Sequence, residues 1–184
     1  IMAVEGMEKE DTEDPEAEEL RRYRGPVKIE LRDAAAAYEG EANVFSHSCF
    51  HVASGEIAAI IGPSGEGKTT LIRLLLGLLE PAEGSAEVRW KKDGSDEYMC
   101  SCRLSAATRE CFSYVPQGNT VFMGTIAENL RLVKPDAGEE EMRRALEQAC
   151  AWDFVSAFPD GLDHYIGEHG AGISEGQAQR IAIA

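Results

Sequence analysis

The chain has 184 residues and a mass of 20.0 kDa, room for one ordinary domain. Eighteen Lys and Arg stand against 33 Asp and Glu, a net charge of -15, which argues against a general nucleic-acid binder with its basic footprint. No apolar run approaches the roughly 20 residues of a membrane span, no signal-peptide pattern opens the chain, and the five cysteines lack C-x-x-C spacing, so the expectation is a soluble, intracellular-type domain with reduced thiols.

Nine acids and one Lys fall between Glu5 and Glu19, and a block of like charge this poor in apolar residues does not fold by itself. Residues 1–24 are therefore expected to form an acidic, disordered linker ending at Gly25-Pro26. Val27, Ile29 and Leu31 alternate with polar residues and predict a half-buried strand, and residues 44–52 predict a second. Residues 56–61 form a short apolar run without alternation, which predicts a strand covered on both faces. The next helix is expected over 68–79 and, with leucines nearly all round, buried. Short strands follow over 86–115 around the turn at Lys92–Gly94, and 125–158 is helical in pattern, with the acids after Gly138 opening one helix at its favourable end.

Gly62-Pro-Ser-Gly-Glu-Gly-Lys-Thr69 satisfies G-x-x-x-x-G-K-[ST], after an apolar run and before a helix. Each part has a physical task. Glycines let the backbone wrap so that its N–H groups face phosphate oxygens, and the helix start adds its positive end. The Lys68 ammonium reaches the β- and γ-phosphates, and the Thr69 hydroxyl ligates Mg²⁺. The pattern predicts binding of a nucleoside triphosphate.

Such loops serve several enzyme classes, so the rest of the chain must discriminate. The guanine-reading Asn-Lys-x-Asp is absent. Ile173-Ser-Glu-Gly-Gln177 closely resembles the L-S-G-G-Q signature of ABC transporter ATPases. Ala37-Tyr38 matches that family's aromatic loop and Tyr114-Val-Pro-Gln117 its Q-loop. Phe122-Met-Gly-Thr-Ile-Ala-Glu-Asn129 and Gly167-Glu-His-Gly170 resemble its exporter branch. The resemblance runs from about Lys28 to Ala184.

The resemblance implies an α/β fold: a P-loop NTPase core with an antiparallel β-subdomain and an α-helical subdomain. It places the ATP-binding core and β-subdomain at 25–118, the helical subdomain at 119–173, and the signature with the start of its helix at 174–184. ATP and Mg²⁺ are the implied ligands. Gly62, Ser64, Gly65, Gly67, Lys68, Thr69 and Thr70 would hold the phosphates, and Tyr38 would stack on adenine. Taken alone, Tyr38 is equally a core or surface tyrosine. Gln117, with Thr69, would touch Mg²⁺ and, with Lys68, the reacting groups. Ser174, Gly176 and Gln177 would face the γ-phosphate held by a second, head-to-tail ATP-binding domain. The implied setting is the cytoplasmic face of a membrane, with transmembrane domains as partners, ATP-driven export as the function and no nucleic acid. A soluble ABC-type ATPase acting on DNA or the ribosome is the more distant alternative, against which the acidic charge counts.

Ser174-x-x-Gln177 is also a capping box in its own right, and a capped helix start beside Gly176 is an anion site. Two departures from the family stand out. Glu175 replaces the first signature glycine, and two readings are open: it repels the γ-phosphate, or it turns outward to solvent. No four-residue apolar run is followed by Asp-Glu, so neither the family's Mg²⁺-holding Asp nor its general-base Glu has a candidate. The expectation is a domain truncated inside the signature helix, whose hydrolysis-incompetent form is the alternative to the working enzyme.

Overall fold

The computed structural model describes residues 12–38, 40, 42–92, 94–116, 118 and 120–184. The chain divides into two compact units, one up to Ser113 and one from Tyr114 onward.

The first unit is built on a four-stranded antiparallel sheet, ordered β2-β1-β3-β4, with β1 at Val27–Ala36, β2 at Phe45–Ala53, β3 at Glu83–Trp90 and β4 at Cys100–Arg103. Leu31 of β1 sits opposite Phe50 of β2 and Ala86 of β3. Past Leu31 the ladder slips at a bulge, where Asp33 takes φ 48°. Across from that bulge, Gly84 at φ 74° packs so tightly that a Cβ would lie 2.3 Å from the Arg32 and Asp33 carbonyl oxygens, so only glycine fits. Leu31, Val88 and Trp90 form the buried centre with Leu74. Cys102 is buried beside them, and burial, reinforced by Asp14, pushes its thiol up to about 12. All five cysteines are free.

Helix α1, Pro15–Arg22, corrects the linker expectation for those residues. Asp14 caps it by accepting from the Glu16 and Ala17 amides, Pro15 fits the first turn, and Glu16 and Glu18 face its positive end while Arg21 and Arg22 face the other. Ala17 and Leu20, three apart, share one face and are buried in the sheet's core. Two apolar positions at helical spacing suffice once a core exists to receive them. Residues 1–11 of the expected linker lie outside the described residues.

Two further expectations change. The 56–61 run is not a strand: among the described residues no strand pairs with it, and Ile57 and Ile61 are 100% and 91% exposed. Both sheets described here are antiparallel, so the neighbours that would cover this run on two faces are not among their strands. Helix α2 covers Lys68–Leu75, not 68–79, because Gly77 turns the chain at φ 61°. Its burial is one-sided, through Thr70 and Leu74, whereas Leu78 beyond its end is 53% exposed. After β4, a 3-10 turn over Ala106–Cys111 is closed by a capping box between Ser105 and Thr108.

The second unit joins a two-stranded ladder, β5 Gly124–Thr125 and β6 Tyr165–Ile166, to helices α3 Ile126–Arg131, α4 Glu139–Gln148, α5 Trp152–Val155 and α6 Glu175–Ile183. Ile126, Leu146, Val155, Ile166 and Ile181 form its core. The last of these lies on α6, so the signature helix packs as part of this unit. Helix α4 opens on Glu139, Glu140 and Glu141 after Gly138, as the charge pattern predicts. No helix among the described residues is long and apolar enough to cross a membrane.

Candidate nucleotide-binding elements

The phosphate loop joins the exposed 56–61 segment to α2. Gly65 and Gly67 take φ 91° and 85°, left-handed values that side chains rarely adopt. At Gly67 space is also limiting, since a Cβ would come within 2.9 Å of Val44 Cγ1. The Lys68 ammonium reaches back across the loop, donating to the Gly62 carbonyl at 2.7 Å and to that of Pro63. The Lys68 side chain thereby ties the two ends of the loop together. Ser64 and Thr69 are exposed.

The start of α2 differs from every other described helix. Asp14, Thr125 and Ser174 cap α1, α3 and α6 with side chains, and α4 and α5 carry acids in their first turns. Helix α2 has neither a side-chain cap nor an acid there. Its positive end is therefore met by no side-chain cap and no first-turn carboxylate, the setting in which helix starts attract anions.

Tyr38 lies beside the same helix. Its hydroxyl is 3.2 Å from Thr70 Oγ1 and accepts from Arg73 Nη1 at 2.9 Å, and the Arg73 guanidinium stands 5.8 Å from its ring centroid. Thr70 is buried, so its side chain serves Tyr38 while only its backbone is available to a phosphate. The structure thus brings Tyr38 and the loop residues Gly62 to Thr70 together within one unit. Arg73 belongs to none of the sequence motifs, although it is the sole charged residue in the run from Leu71 to Leu79. Gln117 lies outside the described residues.

In the second unit, the capping box predicted for the signature is present. The Ser174 amide donates to Gln177 Oε1 at 2.8 Å, and the Gln177 amide donates to Ser174 Oγ at 3.3 Å. Around Gly176 a Cβ would meet nothing within 4 Å, and Glu175 is exposed beside it. Arg180, one turn on, donates to the Gly176 carbonyl and the Cys150 carbonyl, both at 3.1 Å, and lies 4.9 Å over the Phe154 ring. Hydrogen bonds from both the capping box and Arg180 hold the first turn of α6, and the space around Gly176 is open.

The exporter-like segment has its own logic. Asn129 clamps the loop before α3: it accepts from the Phe122 amide at 2.7 Å and donates to the Phe122 and Thr125 carbonyls, both at 2.9 Å. Phe122 and Met123 are nonetheless 68% and 61% exposed, and Tyr165, paired with Thr125 across the ladder, is 58% exposed. This is an ordered apolar surface.

A family model described as ABC transporter matches residues 45–184. The ATP-dependent lipid A-core flippase of Desulfotalea psychrophila is 36% identical over all of this chain and 30% of its own length. The beta-(1-->2)glucan export ATP-binding/permease protein NdvA of Rhizobium etli is 35% identical over 95% of this chain and 28% of its own. The mitochondrial iron-sulfur clusters transporter ATM1 of Candida glabrata is 32% identical over 90% of this chain and 22% of its own. A solved structure of a bacterial Atm1-family ABC exporter with ATP bound superposes with a TM-score of 0.71 at 30% identity, covering 86% of this chain and 27% of that one. The chain spans less than a third of the length of these relatives.

Proposed function

The chain belongs to the ABC transporter family and has the ABC ATPase fold, and from that premise we propose that it binds Mg·ATP within the ATP-hydrolysing domain of an exporter. The observation that carries the ATP reading is the start of α2, without a side-chain cap or first-turn acid and preceded by a loop with two left-handed glycines, a setting that suits a phosphate. The relatives are named as exporters and the neighbouring structure holds ATP, which supports the same reading.

The residues fit the nucleotide as follows. Backbone amides of Gly65 to Thr70 receive the phosphates. Lys68 exchanges its loop carbonyls for the β- and γ-oxygens, a swap that needs only rotation of its flexible stem. Thr69, exposed in the first turn, would hold Mg²⁺ through its hydroxyl, and the ion would supply neutralisation of phosphate charge. Tyr38, held against α2 by Thr70 and Arg73, offers its ring to adenine. Gln117 is assigned to Mg²⁺ and the attacking water by its place in the motif order alone. None of the 184 residues follows an apolar run as Asp-Glu, so the steps assigned to this chain are binding, orientation and pairing, and the base that removes the water's proton is not among them.

The open first turn of α6, with Ser174 and Gly176, supports a head-to-tail partner domain whose γ-phosphate it would receive. The clamped, exposed Phe122, Met123 and Tyr165 support a second, apolar partner, the transmembrane domains, at the cytoplasmic face of a membrane.

Thermal denaturation against rising Mg·ATP tests the central claim on this chain and on Lys68→Ala. Binding to the folded state raises stability by RT ln(1 + [L]/Kd), so a dose-dependent rise that vanishes in Lys68→Ala is expected. Equal rises in both, or none in either, would overturn the ATP reading.

A further inference from the structure

Arg109 lies in the 3-10 turn Ala106–Cys111, in none of the motifs that carry the family resemblance. Its guanidinium forks onto the far end of α2, with Nε donating to the Leu76 carbonyl at 3.1 Å and Nη2 to the Gly77 carbonyl at 2.9 Å. Those carbonyls belong to the residues that close the helix, where a cation both completes hydrogen bonds and meets the negative end of the helix. The same junction is fixed sterically. A Cβ at Gly77 would lie 2.3 Å from the Ser105 carbonyl carbon, so the end of α2 and the start of the 3-10 turn touch backbone to backbone.

The turn is braced from its other side. Arg21 of α1 donates to the Ala107 carbonyl at 2.8 Å and pairs with Glu110 at 3.4 Å. Thr108, fully buried, locks the turn through Ser105. A continuous series of polar contacts therefore runs from α1 through the 3-10 turn to the end of α2, all within the first unit. Helix α2 has eight residues, about 12 Å of rigid rod, and its opposite end is the phosphate loop.

We infer that Arg109 is a positioning residue for the phosphate loop: by seating the far end of α2 against the 3-10 turn, with Arg21 as an outer brace, it fixes where the helix presents its first amides and Lys68. This rests on the reading of the loop as a phosphate site. Loss of the fork frees the helix end to shift, and the loop amides lose their common focus on one anion.

The test uses the 184-residue chain with inorganic tripolyphosphate plus Mg²⁺, and Mg·ATP, as calorimetric titrants. Arg109→Ala is expected to weaken tripolyphosphate about tenfold, and Arg21→Ala by a smaller factor. Arg109→Lys, able to reach one carbonyl but not to fork, should restore part of the loss. Val88→Ala, a cavity in the core of the same unit, supplies the comparison for a purely structural effect. It should lower the melting temperature at least as much as Arg109→Ala while changing affinity less than about twofold. Wild-type affinity in a folded Arg109→Ala, or an equal loss in Val88→Ala, overturns the inference alone. A parent chain that binds neither titrant overturns the phosphate reading, and the inference with it.

Discussion

The hydroxyl of Tyr38 lies 3.2 Å from that of Thr70 and accepts from Arg73 at 2.9 Å, so a residue ahead of β2 is tied to the helix that the phosphate loop opens. The link gives base and phosphate recognition a common support. Thr70 and Arg73 are three apart and therefore share one face of α2, with Lys68 and Thr69 at its start.

That arrangement separates ring from hydroxyl. Tyr38→Ala should weaken Mg·ATP by about 1–3 kcal/mol while leaving Mg-tripolyphosphate near the parent value, because only the adenine loses its platform. Tyr38→Phe keeps the platform and should bind ATP almost as the parent does. Equal losses for both titrants in Tyr38→Ala would show that the tyrosine supports the loop and does not read the base.

Glu175 sits exposed in the first turn of α6, where its charge favours the helix and would oppose a phosphate brought to the same turn. Glu175→Gly should tighten ATP-dependent pairing of chains while costing about 1 kcal/mol of stability. Glu175→Gln removes charge without adding backbone freedom and should tighten pairing as well. Light scattering with and without Mg·ATP reads the outcome, and unchanged pairing in both variants would mean that the side chain simply faces solvent.

Asn129 makes three hydrogen bonds that order the loop carrying Phe122 and Met123. Asn129→Ala should cost about 1–3 kcal/mol in chemical denaturation and speed proteolysis within residues 120–125. Asn129→Asp keeps the acceptor for the Phe122 amide but loses both donated bonds, so it should fall between. A loss below about 0.5 kcal/mol would mean that the loop is ordered by packing alone.

Glu30 anchors three cations on the sheet. Its side chain, 14% exposed, accepts from Lys28 at 2.8 Å and from Arg89 at 3.1 Å, and lies 2.6 Å from Arg32. The hydrogen bond from Lys28 first, then those from Arg89 and Arg32, hold its carboxyl at about 2 against an ordinary 4.5, although burial pulls the other way. A depressed carboxylate stabilises the fold above the unfolded value and ceases to do so as pH falls through the folded one. Glu30 should therefore contribute about 1–2 kcal/mol near neutrality once solvent screening is allowed for, lost between about pH 5 and pH 2. Glu30→Gln should be less stable at pH 7 and show a flatter acid limb. Parallel acid limbs in the two proteins would assign the acid sensitivity elsewhere.

Several features were legible in the residues because their physics is local. The loop Gly62–Thr69 carries its glycines, lysine and threonine in one stretch, and Ser174 with Gln177 states a cap within four residues. The acids of α4 and the alternation of β1 are equally short-range. Other features depended on what the chain folds against. Ala17 and Leu20 are two apolar residues in an acidic block until the core of β1, β3 and β4 gives them somewhere to be buried. Residues 56–61 have the composition of a buried strand, yet a strand is defined by partners, and none among the described residues pairs with them. Arg109 reads as an ordinary surface arginine until Gly77 and Ser105, 28 positions apart, meet and place two helix-end carbonyls before it. Spacing along the chain settles which chemistry a segment carries; which end groups are satisfied, which faces are covered and which helix is held from behind follow from contacts between residues distant in sequence, and only the tertiary structure decides them.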